Sequence, residues 1–282
     1  CSEIILRPYQ FCNLTEVVVR SDDTLASLKK KVEYATILGT FQSTLTDLKY
    51  LRKIWRDNTE QERLLGVSLT GIMDSELLND ATDTGLEKRL QELRQVAVDT
   101  NLGLSDALGI EQSTAITCVK PSGTVSQLVN SASGIHARHS NYYVRTVRGD
   151  KKDPLTQFLI DQNIPCEDDV MQPDNTAVFS FPVESPEKAV TRNDTSALAQ
   201  LDLWLLYQKN WCEHKPSVTI TVKEDEWLDV GAWVYNNFDD VAGISFLPHS
   251  DHTYKQAPYQ ECNKKDYLSL AKTMPDSIDW SL

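Results

Sequence analysis

The chain lacks several features that mark whole classes of protein. None of its apolar runs reaches about eighteen residues, so the sequence predicts no membrane-spanning helix. No basic stretch followed by an apolar core stands at its start, which predicts no secretory signal. Positive charge is scarce, because 28 lysines and arginines face 41 aspartates and glutamates. Nucleic-acid polymers are bound through basic surface, so we expect a cytoplasmic protein with neither a membrane nor polymeric nucleic acid as its partner.

The six cysteines form no pattern that is typical of a structural site. They stand at positions 1, 12, 118, 166, 212 and 262, and no two of them form a C-x-x-C pair. Structural zinc sites usually show such close pairs, and disulfide scaffolds are typical of shorter secreted chains. Cys212 and His214, taken with His249 and His252, also match no zinc spacing. We therefore predict no metal site.

Strand-like and helix-like apolar segments alternate through most of the 282 residues, which predicts an α/β fold. Two extended segments, 3–9 and 14–20, are predicted to flank a turn near Cys12 and Asn13, and further strands are predicted at 64–70, 115–119, 142–147, 177–183, 217–222 and 241–247. We predict helices that begin near Asp23 or Thr24, at Ser43 and after Thr84, and further helices over 195–212 and 225–237. Thr84 with Glu87 fits a capping box, in which each side chain accepts a hydrogen bond from a free N–H group.

Two thiols and a carboxylate lie close together at the start of the chain, at Cys1, Glu3 and Cys12. In an extended segment, residues two apart point to the same side, so Cys1 and Glu3 would face one pocket. A cysteine can supply a one-electron sulfur centre, a carboxylate can take a hydroxyl proton, and a second cysteine can supply reducing equivalents. The alternative is that both cysteines are small buried hydrophobic residues.

A second candidate site is the turn after the predicted strand 115–119. It offers the hydroxyls of Ser122, Thr124 and Ser126, together with the backbone N–H groups of Gly123 and Val125 at an expected helix start. These groups predict an anion site, although an ordinary helix cap would use the same residue types. No Gly-Lys-Ser/Thr follows, so the turn is not a Walker A loop.

Three basic residues follow this turn closely. They are His136, Arg138 and His139. We expect them to add positive charge near an anion that is bound at the turn.

Four stretches carry a family resemblance. In chain order they are Cys1-Ser2-Glu3-Ile4 with Phe11-Cys12-Asn13-Leu14; Lys120-Pro121-Ser122-Gly123-Thr124-Val125-Ser126; Ser133-Gly134-Ile135-His136 with Tyr142-Tyr143-Val144-Arg145; and Gly243-Ile244-Ser245-Phe246-Leu247-Pro248 with Gln256-Ala257-Pro258-Tyr259. Each is moderately specific, and the ordered set is highly specific. Together they resemble the C-terminal half of the ribonucleotide reductase large chain, in particular the adenosylcobalamin-dependent class that reduces ribonucleoside triphosphates.

The resemblance implies a fold and a role for each candidate residue. The fold would be part of a ten-stranded α/β barrel whose central finger loop carries Cys1, the cysteine that becomes a thiyl radical. Glu3 would take the 3′-hydroxyl proton of the ribose. Cys12 would belong to the redox pair that is oxidised to a disulfide. Residues 122–126 would bind the substrate phosphates.

The resemblance also implies a cofactor and partners. Adenosylcobalamin would supply the radical by homolysis of its cobalt–carbon bond. The substrate would be a ribonucleotide, the product a deoxyribonucleotide for DNA replication, and the external reductant a protein of the thioredoxin type. The family is also under allosteric control.

Several parts of the family pattern are not found in the sequence. The chain starts directly on Cys1, without a methionine and without the asparagine that precedes this cysteine in the family. The upstream barrel strands, the partner of Cys12 and the C-terminal cysteine pair of the family also have no counterpart. We therefore expect residues 1–282 to be a single incomplete domain that lacks its upstream half and is inactive alone.

Two alternatives remain open at the level of sequence. The first is a fragment of a class I reductase large chain, which would receive its radical from a second subunit. The second is a nucleotide-binding or purely structural fragment without activity. The enzyme interpretation predicts that Cys1→Ser abolishes reduction in the complete protein, whereas the structural interpretation predicts no effect.

Overall fold

The computed structural model describes residues 3–249 and 254–281. These residues form two compact units. The first unit contains residues 3–138 and 188–249, and the second contains residues 139–187 and 254–281. The predicted α/β class is confirmed, while the single-domain interpretation of residues 1–282 stays a prediction. Within the described ranges, every helix is too short or too polar to cross a lipid bilayer.

The first unit is built from parallel strands and from helices that follow them. Its strands are β1 (Asn13–Val18), β2 (Leu65–Thr70), β3 (Thr117–Cys118), β7 (Thr219–Val222) and β8 (Ser245–Pro248). Its helices are α1 (Leu25–Gln42), α2 (Lys53–Glu62), α3 (Leu86–Leu108), α4 (Val125–Leu128), α6 (Ala197–Asn210) and α7 (Trp227–Asn236), with short 3₁₀ turns at Ile72–Asp74, Glu224–Glu226 and Phe238–Asp240.

The strands of the first unit lie side by side in parallel. The order β1-β2-β3 is set by pairs such as Leu14 with Gly66 and Val67 with Thr117. A parallel bridge from Val119 to Pro216 continues beyond β3, and β7 pairs in parallel with β8. All six residues of β2 are buried, as expected for a parallel sheet that is covered on both faces.

Helices cover one face of the parallel sheet and form the main core with it. The core takes alternate residues of each strand, among them Val17, Val19, Leu65, Val67 and Leu69, and the buried stripes of α1, α3 and α6, among them Leu28, Val32, Leu90, Leu93, Trp204 and Tyr207. Trp204 and Trp211 are fully buried, and each indole N–H donates to a backbone carbonyl 2.8 Å away, at Pro216 and Cys118. Both large rings are therefore buried without an unsatisfied polar group.

Two helix starts differ from the sequence prediction. Thr24 caps α1 as expected, and its side chain forms a reciprocal capping box with Ser27. The helix expected at Ser43 begins ten positions later, because the leucines that suggested it lie in an irregular exposed segment; Leu45, for example, is 74% exposed. The N-cap of α3 is Gly85, and no side chain forms a capping hydrogen bond there. The prediction of a capping box at Thr84 is therefore wrong.

The second unit is an antiparallel sheet with two helices. Its strands are β4 (Tyr142–Asp150), β5 (Cys166–Asp168), β6 (Thr176–Glu184) and β9 (Tyr259–Glu261), in the order β5-β6-β4-β9, and its helices are α5 (Pro154–Asp161) and α8 (Lys264–Ala271). A small core of Ile164, Ala177 and Phe179 holds it together. The second parts of the third and fourth motif stretches, 142–145 and 256–259, meet here because β4 pairs with β9.

Candidate active site

The segment that precedes β1 brings two of the predicted catalytic residues into the first unit. Glu3 is 5% exposed, and its backbone carbonyl accepts a hydrogen bond of 3.2 Å from the N–H of Lys215. Cys12 is half-buried directly before β1. The prediction of an extended segment over 3–9 is wrong, because these residues form bends and a turn at 8–9. Cys1, the predicted radical cysteine, lies outside the described residues. The segment therefore extends from the start of β1 to Lys215, the residue before the bridge between Pro216 and Val119.

The sheet face opposite the helices carries a row of polar side chains. Val17 and Val19 pack into the helix-covered core, so Glu16, one position before Val17, faces the other way. Glu16 pairs in register with Ser68, and Ser68 pairs with Cys118. Because register partners in a sheet share a face, Glu16, Ser68 and Cys118 lie side by side across three strands.

Gly66 makes room for the N-terminal segment on this polar face. A Cβ at position 66 would collide with the side-chain end of Leu14, would lie 2.7 Å from Cδ1 of Ile4, and would lie 3.5 Å from Sγ of Cys118. Ile4 therefore rests on the sheet where a side chain of β2 would otherwise stand. The same contact brings the neighbour of Glu3 close to the Cys118 thiol.

The two thiols near this face are poorly ionised. Burial and the charge of Glu3 raise the pKa of Cys12, against a smaller opposing effect of Lys120. Burial raises the pKa of Cys118 well above its usual range, with further contributions from Glu3, Cys12 and Glu16. Both groups are therefore protonated at neutral pH, in the form that carries a hydrogen atom rather than in the nucleophilic thiolate form.

Sequence reasoning missed Cys118 as a neighbour of the site. It was treated as part of an apolar strand, which is correct for its burial. The signal that could have found it is its position at the carboxyl end of a predicted parallel strand, directly before the candidate anion-binding turn.

The hydroxyls of the Pro-Ser-Gly turn are largely engaged within the protein. Ser122 is buried, and its backbone lies in the left-handed region with φ of 49°. Its hydroxyl donates a hydrogen bond to a carboxylate oxygen of Glu16. The Ser126 hydroxyl is fully buried and shares a hydrogen bond of 2.8 Å with the hydroxyl of Ser133. These two side chains therefore hold the turn in shape and are not free to meet a ligand.

The backbone of the turn is the part that faces outward. Gly123, Thr124 and Val125 are exposed, and across the described residues no acceptor meets their backbone N–H groups. The helix that follows, α4, has only four residues, so its dipole adds little. Successive free N–H groups after a residue in the left-handed region form a concave anion-binding surface, which is the feature that fits the phosphate prediction.

A buried ion pair anchors the segment that packs under the turn. Nε and Nη2 of Arg138 each lie 2.8 Å from a carboxylate oxygen of Asp74, and both side chains are almost fully buried. The same carboxylate accepts the N–H of Ala132 at 2.9 Å. Gly134, with φ of 57°, lies so close to the carbonyl of Lys120 that a Cβ there would collide with it. The turn thus rests on a rigid support.

Two of the three basic residues after the turn, Arg138 and His136, do not supply the positive charge that was expected. Arg138 is neutralised by Asp74. His136 is buried, which lowers its pKa, and its Nδ1 donates to the carbonyl of Ser133 at 2.9 Å while Nε2 accepts the N–H of Thr219 at 3.0 Å. A neutral ring is required for this pair of hydrogen bonds, so the charge prediction is wrong for both residues. His139 belongs to the second unit.

Over the described ranges, no group of three or more histidine, cysteine or acidic side chains is placed to hold a metal ion. Glu16 does line an open groove of about 530 Å³ along the outer edge of β1, together with Arg20, Lys31 and Tyr34. The arrangement as a whole combines protonated thiols, a buried carboxylate and a turn with free backbone N–H groups around one sheet face.

No family model matches the chain. The chain is, however, similar over its whole length to adenosylcobalamin-dependent ribonucleoside-triphosphate reductases. It is 29% identical over 286 residues to the enzyme of Euglena gracilis, which covers all of this chain and 38% of that one. The Lactobacillus acidophilus enzyme is 28% identical over 309 residues, covering 99% and 41%.

The relative from Dictyostelium discoideum, named as a probable enzyme of the same kind, is 30% identical over 288 residues, covering 96% of this chain and 35% of that one. The chain thus spans about two fifths of the length of the curated relatives it matches. The predicted resemblance to the adenosylcobalamin-dependent reductases is confirmed by these similarities.

Solved structures show the same fold. A B12-dependent, class II ribonucleotide reductase superposes with a TM-score of 0.81 at 22% identity, covering 97% of this chain and 41% of that one. The α subunit of the Actinobacillus ureae class Id reductase gives a TM-score of 0.56 at 14% identity, covering 85% and 50%. The fold of this chain is therefore that of part of a class II reductase.

Proposed function

We propose that this chain is the part of an adenosylcobalamin-dependent ribonucleotide reductase that binds and reduces a ribonucleoside triphosphate. The observation that carries the proposal is the single sheet face on which Glu3, Cys12 and the Ser122–Val125 turn come together. The whole-length similarity to enzymes named for this reaction supports it independently.

We propose that the parallel strands β1, β2, β3, β7 and β8 are one half of a ten-stranded barrel. Ile4, which rests over Gly66 on the polar face, would then lie at the end of the finger loop that carries Cys1 into the barrel. The part of the relatives that this chain does not cover would supply the other strands and the cysteine that pairs with Cys12.

In this proposal each residue has a separate role in the reaction. The Cys1 sulfur takes the hydrogen atom from the ribose 3′ carbon and returns it at the end. Glu3 takes the 3′-hydroxyl proton, which helps the 2′-hydroxyl to leave as water. The thiol of Cys12 and its partner give two electrons and two protons and become a disulfide. The free N–H groups at 123–125 bind the phosphates and fix the sugar against the thiols.

The burial of Glu3 and Cys12 suits these roles. A buried carboxylate and protonated thiols exclude water from the sugar and keep the reducing hydrogens in place. A thioredoxin-type protein would re-reduce the disulfide, because the reaction leaves Cys12 oxidised after each turnover.

Adenosylcobalamin would generate the radical in the complete enzyme. Every step proposed for this chain uses its own side chains and backbone alone.

The class I alternative is less well supported. The named relatives are adenosylcobalamin-dependent, and the fold matches the class II structure better than the class Id subunit. Reduction with adenosylcobalamin as the sole radical source separates the two, because a class I chain would need a second subunit.

The deciding experiment uses the full-length protein and measures conversion of ribonucleoside triphosphates. We expect Cys1→Ser to abolish reduction and Glu3→Gln to lower the turnover rate by about 100-fold or more, the usual contribution of one positioned base. Substrate binding should persist in both variants. Cys166→Ser, which changes an exposed thiol of the second unit, is the matched control. Undiminished reduction by Cys1→Ser would refute the proposal.

A further inference from the structure

We propose that Glu16 is a positioning residue for the substrate-binding turn. The inference rests on the proposed function, and it assigns a role to a side chain that belongs to none of the four motif stretches. Glu16 is a charged residue in the middle of β1, on the polar face of the sheet. A carboxylate beside a phosphate site repels the ligand, so its presence there calls for a structural reason.

The reason lies in the hydrogen bond from Ser122. The two residues are 106 positions apart in sequence, and the Ser122 hydroxyl donates to Oε1 of Glu16. Ser122 adopts φ of 49°, a conformation that costs a non-glycine residue free energy and persists only when its surroundings hold it. The bond to a charged acceptor is the contact that offsets this cost.

A second contact holds the other end of the turn. The backbone N–H of Lys120 donates to the Ser68 hydroxyl at 2.8 Å, and Ser68 is the register partner of Glu16 on the adjacent strand. Two neighbouring strands therefore fix the residues on either side of Pro121. Glu16 fixes the conformation of Ser122. The backbone conformation of Ser122 in turn determines the direction in which the three free N–H groups after it point.

Positioning and repulsion make opposite predictions for two substitutions. Glu16→Gln keeps an oxygen that accepts the Ser122 hydroxyl and removes the charge, so anion binding should stay within about threefold of the wild type. Glu16→Ala removes the acceptor, so binding should weaken about tenfold, the size of one charge-assisted hydrogen bond. If Glu16 acted only through its charge, both variants would bind the anion more tightly.

The experiment measures binding of inorganic tripolyphosphate and of a ribonucleoside triphosphate to the full-length protein by calorimetry. Ser122→Ala breaks the same bond from the other side, and the double variant should lose no more than either single variant, because the two residues act as a unit. Glu33→Ala removes an identical charge from an exposed position of α1 and serves as the control. In turnover, Glu16→Ala should raise KM about tenfold and leave kcat within twofold.

A second measurement makes the proposal independent of turnover. Hydrogen–deuterium exchange of Ser126 and Ser131 should accelerate in Glu16→Ala, since their N–H groups are bonded to the carbonyls of Ser122 and Ser126. Unchanged exchange and unchanged affinity in Glu16→Ala, or an equal loss in Glu16→Gln, would overturn the proposal. A wild-type protein that binds no ribonucleotide would refute the proposed function, while the exchange rates would still decide the role of Glu16.

Discussion

The sheets of the two units differ in how completely they are covered by other parts of the chain. In the parallel sheet of the first unit, all six residues of β2 are buried, because helices cover one face, and Ile4 together with the loop after β3 covers the other. In the antiparallel sheet of the second unit, β4 is largely half-buried or exposed, with only Tyr143 and Thr146 buried. The doubly covered sheet can shield polar groups from water, and it is there that the thiols and the carboxylates gather.

The difference extends to how each unit stabilises charge. Arg138 and Asp74 of the first unit are 3% and 2% exposed, whereas Arg148 of the second unit, which pairs with Asp169, is 39% exposed. A buried charge depends on its partner, because water cannot replace it. A half-exposed charge can turn to solvent when its partner is removed.

The largest effect is expected when these two arginines are compared directly. Arg138→Ala leaves Asp74 as an uncompensated buried charge and should lower the free energy of unfolding by about 3–5 kcal/mol. Arg148→Ala leaves Asp169, whose side chain is 6% exposed but whose Oδ1 still accepts the backbone N–H groups of Met171 and Gln172, so the loss should be smaller. Urea unfolding of the two variants measures both values. Equal losses would contradict the contrast between the two units.

A smaller effect is expected from two glycines. Gly134→Ala of the first unit places a Cβ against the backbone carbonyl of Lys120 at a positive φ, and it should destabilise the chain by about 2–3 kcal/mol. Gly149→Ala of the second unit meets the side chain of Thr156, which can rotate, so we expect a loss of about 1 kcal/mol. Thermal unfolding measures both losses of stability. A larger loss for Gly149→Ala than for Gly134→Ala would show that the backbone around Lys120 can shift to accept the added Cβ.

The smallest effect on the free energy of unfolding is expected from a change of pH. Burial lowers the pKa of His136 and of His214, both in the first unit, below the value of about 6.5 that an unfolded histidine has. The unfolded state therefore binds protons first, so stability is complete above pH 6.5 and falls as the pH drops, by up to about 1.4 kcal/mol per pH unit for each ring. Unfolding at pH 7.5, 6.5 and 5.5 measures the slope. His136→Gln should reduce it, and an unchanged slope would exclude His136 as a source.

The sequence predicted the elements whose periodicity is carried by buried residues. The stripe of Leu86, Leu90, Leu93 and Ala97 is buried in α3 as expected, and the strands at 64–70, 142–147 and 177–183 are present. The false helix at Ser43 arose because exposed leucines imitate such a stripe. Periodicity reports spacing, and it cannot report whether another element is there to bury the spaced residues.

The candidate site was predicted only where its residues are close in sequence. Glu3 and Cys12 form one short segment, and the turn at 122–126 is continuous, so local patterns could find them. Glu16 and Ser122 are joined across 106 residues. Their contact depends on strand register and on the left-handed conformation of Ser122, and neither can be read from local residue patterns.

The free edge of β1 has a practical consequence for handling the chain. β1 ends the order β1-β2-β3, and no strand within residues 3–249 and 254–281 pairs with its outer side. Tyr34 and Leu38 lie exposed beside that edge. Unpaired backbone groups next to apolar side chains act as a template for joining further chains. Preparations of this polypeptide by itself are therefore expected to self-associate as they are concentrated, and dilute samples or a solubilising fusion are the appropriate starting material.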